Sequence, residues 1–189
     1  MTRRQHLLSL FAAPQFSHDG TSSYVVKTAH QAYDTTVRIA RPAKSTERLL
    51  LVLPVNADIS HRWGDGFDTI VQAKLHHRYG FTLAAPSFTA WPWYADHPTN
   101  PKIRQETYLL RDVLPLLDKL FPNHQRLLVG FSKSGNGALQ LLLRHPDRFA
   151  AAAAWDAPLM KRAPDQFFMG DVFATQQNFE QYAIPNLCQ

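Results

Sequence analysis

A serine surrounded by small residues lies where an apolar run of the chain gives way to a segment of helical character. The stretch reads Gly130-Phe131-Ser132-Lys133-Ser134-Gly135, and the apolar residues 127–129 precede it. Small residues on either side of a serine allow a strand to turn sharply into a helix and leave the hydroxyl exposed at the helix N-terminus. This arrangement predicts a nucleophile elbow, and therefore a serine hydrolase with Ser132 as the nucleophile. The second glycine of the usual G-x-S-x-G pattern is replaced by Ser134, which is itself small and is followed by Gly135.

The spacing of the same glycines excludes two nucleotide-binding motifs. A P-loop requires Lys and then Ser or Thr after its last glycine, whereas Asn136 and Gly137 follow Gly135 here. A dinucleotide fingerprint requires G-x-G-x-x-G, and this pattern is absent from the stretch. A serine hydrolase that works through an acyl-enzyme is expected to need neither an organic cofactor nor a metal ion.

The elements that must position this elbow can be read from hydrophobic periodicity. Alternation over 22–29 and 33–40 predicts an antiparallel hairpin at a sheet edge, and continuous apolar runs predict buried strands. Apolar residues three or four apart predict helices, of which the second contains Pro115 and is expected to kink there. The predicted buried strands are 49–55, 81–86, 126–131 and 149–155, and the predicted helices are 67–79, 102–120, the elbow helix to 143, and 171–182.

Strands and helices that alternate after an initial hairpin indicate an α/β protein with a mostly parallel sheet and helices on both faces. We interpret residues 1–189 as a single domain with a hairpin at 22–40, a core at 49–160 and an incomplete C-terminal part. Active sites in such sheets lie outside the carboxyl ends of the strands. This rule selects the loops after Val55, after Pro86 and after Phe131.

The loop after Pro86 is rich in proline and aromatic residues and is too long to be a simple connection. Its residues Trp91, Trp93, Tyr94 and His97 are therefore candidates for substrate binding, in a pocket for a sugar or an aromatic acyl group. The alternative is that the loop packs its own aromatic side chains over the core.

Composition limits the possible partners of the chain. The 189 residues, 45% of them hydrophobic, are enough for a sizeable core, and no apolar run approaches the length that crosses a bilayer. The net charge of +5 is scattered among acidic residues, so we expect neither nucleic-acid nor membrane binding. Residues 1–13 resemble a signal peptide only faintly, so we expect a cytoplasmic protein, with secretion as the alternative. The single Cys188 cannot form an internal disulfide.

The chain resembles the α/β-hydrolase family, and within it the esterase branch that includes esterase D-like and feruloyl or acetyl-xylan esterase-like enzymes. The resemblance covers roughly residues 20–160 and rests on the elbow, the turn at residues 144–149 and the Leu-Pro turn after the third strand. It implies that Ser132 is the nucleophile. It also implies an oxyanion hole made by the backbone N–H of Lys133 and a second N–H near Asn56 and Ala57.

The family supplies its catalytic acid and histidine after the serine, and this order raises a difficulty. The one histidine downstream of Ser132 is His145, which lies 13 residues along the chain, about 20 Å away on a helix. Asp156, at the end of the sixth strand, is a candidate for the acid or for a loop-anchoring or substrate-contacting carboxylate. His61 and His97 are candidates for a replacement base, or are simply loop or binding histidines. The side chain of Lys133 is expected to face solvent.

Three explanations of the absent histidine are open: the chain is the N-terminal part of a longer hydrolase, a natural short variant, or one half of a site that a second chain completes. Truncation is favoured because the elbow and the oxyanion loop are intact. The expected function is hydrolysis of a small carboxylic ester through an acyl-enzyme at Ser132. The alternative is a catalytically inactive module that binds a ligand or partner through the aromatic loop. The sequence does not indicate an oligomeric state.

Overall fold

The structure is a computed structural model that describes residues 15–16, 20–57 and 64–188, and one seven-stranded sheet lies at its centre. The sheet order is β1-β2-β3-β5-β4-β6-β7, with β4, β5, β6 and β7 parallel and the first three strands antiparallel. This mixed, mostly parallel sheet confirms the predicted α/β-hydrolase architecture. His61 and the N-terminal residues 1–13 lie outside the described residues. The strands are β1 Gln15–Phe16, β2 Thr21–Val26, β3 Thr35–Ala40, β4 Arg48–Val52, β5 Phe81–Pro86, β6 Gln125–Phe131 and β7 Ala151–Trp155.

The continuous apolar run predicted as a buried strand forms β4, which lies in the middle of the sheet between β5 and β6. Leu49 and Leu51 of this strand are almost completely buried. The predicted hairpin forms β2 and β3, with Tyr24 opposite Val37. It is not outermost, because the short β1 pairs with β2.

Two of the predicted helices are divided into shorter ones. The predicted helix 67–79 is divided at Lys74, whose φ of 55° is left-handed and ends the α-helical path. The predicted helix 171–182 consists of shorter helices, because Ala174 also has a left-handed φ of 61° and Thr175 caps a new helix. The helices are α1 Gly66–Gln72, α2 Leu75–Tyr79, α3 Gln105–Tyr108, α4 Leu114–Leu120, α5 Lys133–Arg144, α6 Met169–Phe173, α7 Gln176–Glu180 and α8 Ile184–Leu187.

A π-helical turn, Leu109–Val113, joins α3 to α4 and ends just before Pro115. Proline has no N–H to donate to the carbonyl four residues earlier, and its ring crowds that carbonyl. A π-helical turn is a common way for a helix to accommodate such a local mismatch. The predicted disturbance at Pro115 therefore takes the form of a widened turn in one helical path.

The helices cover the two faces of the sheet unequally. On one face, Phe67 of α1 packs against Val52, Leu83 and Ala85. On the other face, α3, the π-helical turn, α4 and α5 contribute to the main core. That core includes Tyr108, Leu109, Val113, Leu117, Ala138 and Leu141.

Strand β7 differs from its prediction as a buried strand. Ala151, Ala153 and Trp155 are exposed, and the residues between them are half-buried. The reason is that β7 is the last strand of the described sheet, and α5 covers only one of its faces. Among the described residues, no helix has both the length and the apolar character that a membrane span requires.

Candidate active site

Ser132 lies at the apex of a sharp turn between β6 and α5. Its backbone has φ 52° and ψ −124°, a sparsely populated conformation that costs on the order of 1–3 kcal/mol. The Ser132 N–H donates to the carbonyl oxygen of Trp155 at 3.0 Å, and its own carbonyl accepts from the Asn136 N–H at 3.1 Å. One bond ties the serine to β7 and the other begins α5, so the surrounding structure maintains the strained apex.

Gly130 is required by the close approach of the helix to the strand. A Cβ placed there would lie 2.1 Å from the carbonyl oxygen of Ser134 and 2.6 Å from the backbone nitrogen of Gly135. Gly135 is similarly enclosed, because its Cβ would lie 3.0 Å from the Cβ of Ala157 and 3.2 Å from that of Ala154. The pair of glycines lets α5 pack directly on the ends of β6 and β7.

Ser134, which replaces the usual second glycine, stabilises the turn through its side chain. Its hydroxyl is fully buried, accepts a hydrogen bond from the Phe131 N–H at 2.9 Å and donates one to the Phe131 carbonyl at 2.9 Å. The departure from the usual pattern therefore adds two hydrogen bonds across the elbow. Spacing predicts that a small residue fits at this position, but does not reveal these bonds.

The two segments predicted to form an oxyanion hole lie on neighbouring strands at the same edge of the sheet. Lys133 is the first residue of α5, so its N–H has no acceptor within the helix. Asn56 and Ala57 follow β4, and the ladder between β4 and β6 extends to a Leu53 N–H bond with the Val129 carbonyl at 2.9 Å. The N-terminus of α5 carries a partial positive charge that favours an anion.

A cavity of about 600 Å³ lies beside the elbow at this edge. Asn56, Ala57, Phe131 and Trp155 line one side of it, whereas Ser132 is not among the lining residues. The volume is within the range of small-molecule sites, about 300–1,000 Å³. The remaining walls come from the β2–β3 turn, α1 and the start of the loop after β5.

Arg38 provides the positive charge in this cavity. It donates to Asp68 at 2.8 Å and to Asp65 at 2.5 Å, and its guanidinium lies 4.6 Å from the centroid of the Phe67 ring. Asp65 also caps α1 by accepting from the backbone N–H of Asp68. The two carboxylates therefore balance the positive charge of Arg38, so this arginine is not available as an unpaired cation in the cavity.

Trp93 and Tyr94, two of the predicted substrate-binding residues, belong to the core. They are 2% and 0% exposed, and neither lines the cavity. The indole N–H of Trp93 donates to the Phe167 carbonyl at 2.9 Å, and the Tyr94 hydroxyl donates to the Pro54 carbonyl at 2.6 Å. Burial raises the pKa of Tyr94 well above its usual value. The structure therefore corrects the prediction for these two residues in favour of packing, since their polar atoms are used within the protein.

The aromatic loop is held in place by Gln105, which accepts from the backbone N–H groups of Trp93 and Tyr94 at 2.9 and 2.8 Å. The Tyr94 ring lies directly against α5, since a Cβ at Gly137 would be 2.0 Å from it. This contact couples the loop after β5 to the helix that carries the elbow.

Trp91 is half-buried and stacks on Phe168, with a centroid separation of 4.6 Å and an interplanar angle of 5°. The Nζ of Lys133 lies 4.2 Å from the centroid of the Trp91 ring. Lys133 is only 8% exposed, so the prediction that it faces solvent is wrong. Burial lowers the pKa of this lysine to about 8. The Trp91 that contacts this lysine is 42 residues away in sequence, so the spacing around the serine does not reveal the burial.

His97 is positioned by its own loop. Its Nδ1 accepts from the backbone N–H groups of Thr99 and Asn100 at 3.1 and 2.8 Å. A neutral ring in this arrangement carries its proton on Nε2, so Nε2 has no lone pair with which to take a proton from a serine. This hydrogen bonding favours a loop histidine over a replacement base.

His145 caps the far end of α5, as the chain spacing predicts. Its Nε2 lies 2.8 Å from the Oε1 of Glu106, which also accepts from Arg144. The residue therefore serves a structural cluster at the opposite edge of the sheet from Ser132.

The structure also shows a histidine–carboxylate pair that the sequence analysis missed. The Nδ1 of His30 lies 2.8 Å from the Oδ2 of Asp112, and the Thr28 hydroxyl donates to the same oxygen at 2.6 Å. His30 is in the β2–β3 turn, and four strand spacings separate β2 from β6, about 19 Å in all. The pair is too far from Ser132 to act on it. Its members are 82 residues apart, so no local motif indicates it.

Asp156 is the predicted site residue that the structure does bring close to Ser132. Phe131 pairs with Trp155 across β6 and β7, so the residues that follow them are neighbours at the edge of the sheet. Asp156 is exposed and has a left-handed φ of 52°, which aspartate tolerates better than most residues. The chain after it is anchored to α5 by Asn136, whose amide donates to the Pro158 carbonyl at 3.2 Å.

The model of the family described as "Putative esterase" matches residues 85–182, which is more than half of the chain and includes the elbow. No curated protein sequence matches.

Among solved structures, an S-formylglutathione hydrolase from Agrobacterium tumefaciens is similar with a TM-score of 0.67 and 12% identity, over 94% of this chain and 73% of that one. A ferulic acid esterase is similar with a TM-score of 0.61 and 19% identity, over 89% of this chain and 68% of that one. The serine hydrolase FphF from Staphylococcus aureus, described as fluorophosphonate-binding, has a TM-score of 0.57 and 14% identity, over 93% and 67%. At these identities the likeness shows a common fold.

Proposed function

Because this chain belongs to the "Putative esterase" family, we propose that it hydrolyses small carboxylic esters through an acyl-enzyme formed on Ser132. The observation that carries the proposal is the strained turn that presents Ser132 between β6 and the N-terminus of α5. The likeness in fold to FphF, a serine hydrolase, supports the same assignment.

In the proposed reaction, the Ser132 oxygen bonds to the ester carbonyl carbon and the bond to the alcohol oxygen breaks. The proton of the serine hydroxyl ends on the departing alcohol. Water then attacks the acyl-enzyme, so that the acid is released and the serine hydroxyl is regenerated. The strained backbone conformation keeps the nucleophile exposed at the start of the helix, where the substrate carbonyl can approach it.

Negative charge develops on the carbonyl oxygen during both steps. We assign its stabilisation to the backbone N–H of Lys133 and to an N–H of the loop after β4, at Asn56 or Ala57. Loss of one such donor typically costs about 3–4 kcal/mol of transition-state stabilisation. The orphan N–H of the first helical residue and the dipole of the 12-residue α5 support this assignment.

Asp156 is the proposed acidic partner of the site, because it lies beside Ser132 on the neighbouring strand. The cavity next to Asn56 and Phe131 is the proposed place for the substrate. Trp91 does not line this cavity, but it is half-buried and contacts Lys133 next to the serine. It is therefore the residue of the aromatic loop proposed to contact substrate, since Trp93 and Tyr94 are buried in the core.

A second candidate function is a catalytically inactive module that binds an ester or a related ligand at the same edge. It is favoured by three of the histidines in residues 20–57 and 64–188. His30 and His145 are paired with carboxylates away from Ser132, and His97 uses its Nδ1 within its own loop.

Hydrolysis of p-nitrophenyl acetate distinguishes the two candidates. The esterase proposal predicts release of p-nitrophenolate above the buffer rate, and its loss in Ser132→Ala. Gly170→Ala is a suitable control, because the nearest atom to a Cβ at this exposed position is 3.8 Å away. Release that is equal in the wild type and Ser132→Ala would leave the binding module as the better account.

A further inference from the structure

A buried cation lies directly beside the proposed nucleophile. Lys133 is 8% exposed, and its Nζ contacts the Trp91 ring at 4.2 Å from the centroid. Among the described residues, its Nζ has no hydrogen bond and no carboxylate partner. Two half-buried cations are paired, by contrast: Arg38 has two carboxylates and Arg144 has Glu106.

An ammonium group in such a place is costly. Burial disfavours its charged form, and the face of an aromatic ring returns only about 0.5–2 kcal/mol. Buried charges in proteins are ordinarily paired, so an unpaired one indicates a position where an anion can bind. The lowered pKa of Lys133, to about 8, reflects this burial and leaves the group largely protonated at neutral pH.

The surroundings of Lys133 also fit a ligand. Trp91 is stacked on Phe168, and the ammonium lies over the Trp91 ring, so two parallel rings support it. Lys133 directly follows Ser132 and is the first residue of α5, whose N-terminus adds a partial positive charge. One full positive charge matches a single carboxylate.

We propose that Lys133 and Trp91 form a binding position for a carboxylate of the substrate, so that the protein prefers esters that carry a free carboxylate over their neutral counterparts. This inference rests on the proposed esterase function for its substrate, but not for its binding chemistry. Lys133 is a specificity-determining residue in this account, and it takes no part in proton transfer.

The test is a calorimetric comparison of two probes, 4-hydroxybenzoate and its methyl ester, which share a ring and differ in charge. All binding is measured in a Ser132→Ala background, because the proposed enzyme would hydrolyse the ester to the acid. At pH 7 this protein is expected to bind the acid about tenfold more tightly than the ester, since a charge-assisted hydrogen bond contributes on the order of 1.4 kcal/mol. Adding Lys133→Met should abolish this preference, and adding Lys133→Arg should retain most of it.

Lys161→Met is the matched control. Lys161 also lies against an aromatic ring, 5.8 Å from the centroid of Phe167, but it has Asp165 within 3.3 Å and should not influence binding of the acid. The proposal is overturned if the acid and the ester bind equally, if neither binds, or if the preference persists in Lys133→Met. Because binding is measured without turnover, absence of ester hydrolysis would refute the proposed function while leaving this result intact.

Discussion

At the scale of single residues, the elbow depends on a close approach of two backbone segments at Gly130. That approach leaves no room for a side chain larger than a hydrogen atom. Gly130 faces the backbone of Ser134 and Gly135, and backbone atoms cannot move aside as a flexible side chain can. The Ser134 hydroxyl stabilises the turn, because it accepts a hydrogen bond from the Phe131 N–H and donates one to the Phe131 carbonyl oxygen. The position of Ser132 is therefore determined by its neighbours on both sides.

Gly130→Ala is expected to destabilise the fold by about 2–4 kcal/mol and to abolish Ser132-dependent hydrolysis, because the new Cβ would lie 2.1 Å from the Ser134 carbonyl oxygen. Chemical denaturation and the p-nitrophenyl acetate assay measure the two effects. In Gly170→Ala the new Cβ meets no atom closer than 3.8 Å. The free energy of unfolding should therefore change by no more than about 1 kcal/mol, and Ser132-dependent hydrolysis should be retained. A fully stable and active Gly130→Ala would show that the turn is not as closely packed as described.

Lys133→Met is expected to stabilise the protein at pH 7. The folded state lowers the pKa of Lys133 from 10.5 to about 8, so the charged form is penalised in the folded state by up to about 3 kcal/mol, which contact with Trp91 partly offsets. Between pH 8 and 10.5 the unfolded chain binds more protons than the folded one, and wild-type stability must therefore rise with pH relative to the variant.

Urea denaturation of both proteins from pH 6 to 10.5 measures this difference. The advantage of Lys133→Met should be constant below pH 8 and should shrink as the pH rises above it. An advantage that stays unchanged up to pH 10.5, or no advantage at neutral pH, would contradict a buried and unpaired lysine at this position.

Residue-level features were predictable from sequence only where they depend on neighbours in the chain. The small residues around Ser132 predict the elbow, because the turn is local. The burial of Lys133 depends on Trp91 in another loop, and the pairing of His30 depends on Asp112 in a distant helix. These contacts arise only once the sheet has assembled, so the sequence alone could not indicate them.

At the scale of elements, α5 is held at both ends by different interactions. Near its N-terminus, Gly137 admits the ring of Tyr94, which brings the aromatic loop against the helix. At its C-terminus, Glu106 of α3 accepts from Arg144 at 2.6 and 3.0 Å and from the Tyr182 hydroxyl at 3.3 Å. The Glu106 carboxylate beside it contributes to the raised pKa of Arg144.

Glu106→Gln is expected to destabilise the protein by about 2–4 kcal/mol, because it leaves the half-buried Arg144 without its carboxylate. Thermal or urea unfolding measures the loss. The proposed active site lies at the other end of α5, so the residual folded enzyme should keep its specific activity within about twofold. A loss of activity larger than the loss of folded protein would mean that the cluster also positions the elbow.

The amino-acid sequence predicts which strands and helices exist better than it predicts where each of them begins and ends. The apolar runs of β4 and β5 indicate strands directly, since residues buried on both faces must be apolar throughout. The break at Lys74 and the separation of α6 from α7 at Ala174 were not predicted, because neither residue marks a left-handed conformation. Tertiary contacts of the C-terminal helices, such as Phe173 with Phe179 and Tyr182, stabilise them despite their shortness.

At the scale of the whole molecule, the sheet order brings the loop after β4, the loop after β5 and the elbow after β6 to one edge. The alternation of strands and helices predicts this convergence before any side chain is placed. The location of the cavity was not predictable, because Arg38 and the β2–β3 turn reach it from the antiparallel half of the sheet, and Asp65 reaches it from the start of α1. The proposed function follows from the convergence together with the membership in an esterase family.

The most direct test of the central claim is covalent labelling by a fluorophosphonate, in which a nucleophilic serine oxygen displaces fluoride. Trypsin separates the candidate serines, because cleavage after Arg126 and Lys133 releases residues 127–133 with Ser132, and residues 134–144 with Ser134. We predict one phosphonyl adduct per chain, carried by peptide 127–133 and lost in Ser132→Ala. An unlabelled wild type, or an adduct that persists in Ser132→Ala, would contradict the assignment of Ser132 as the nucleophile.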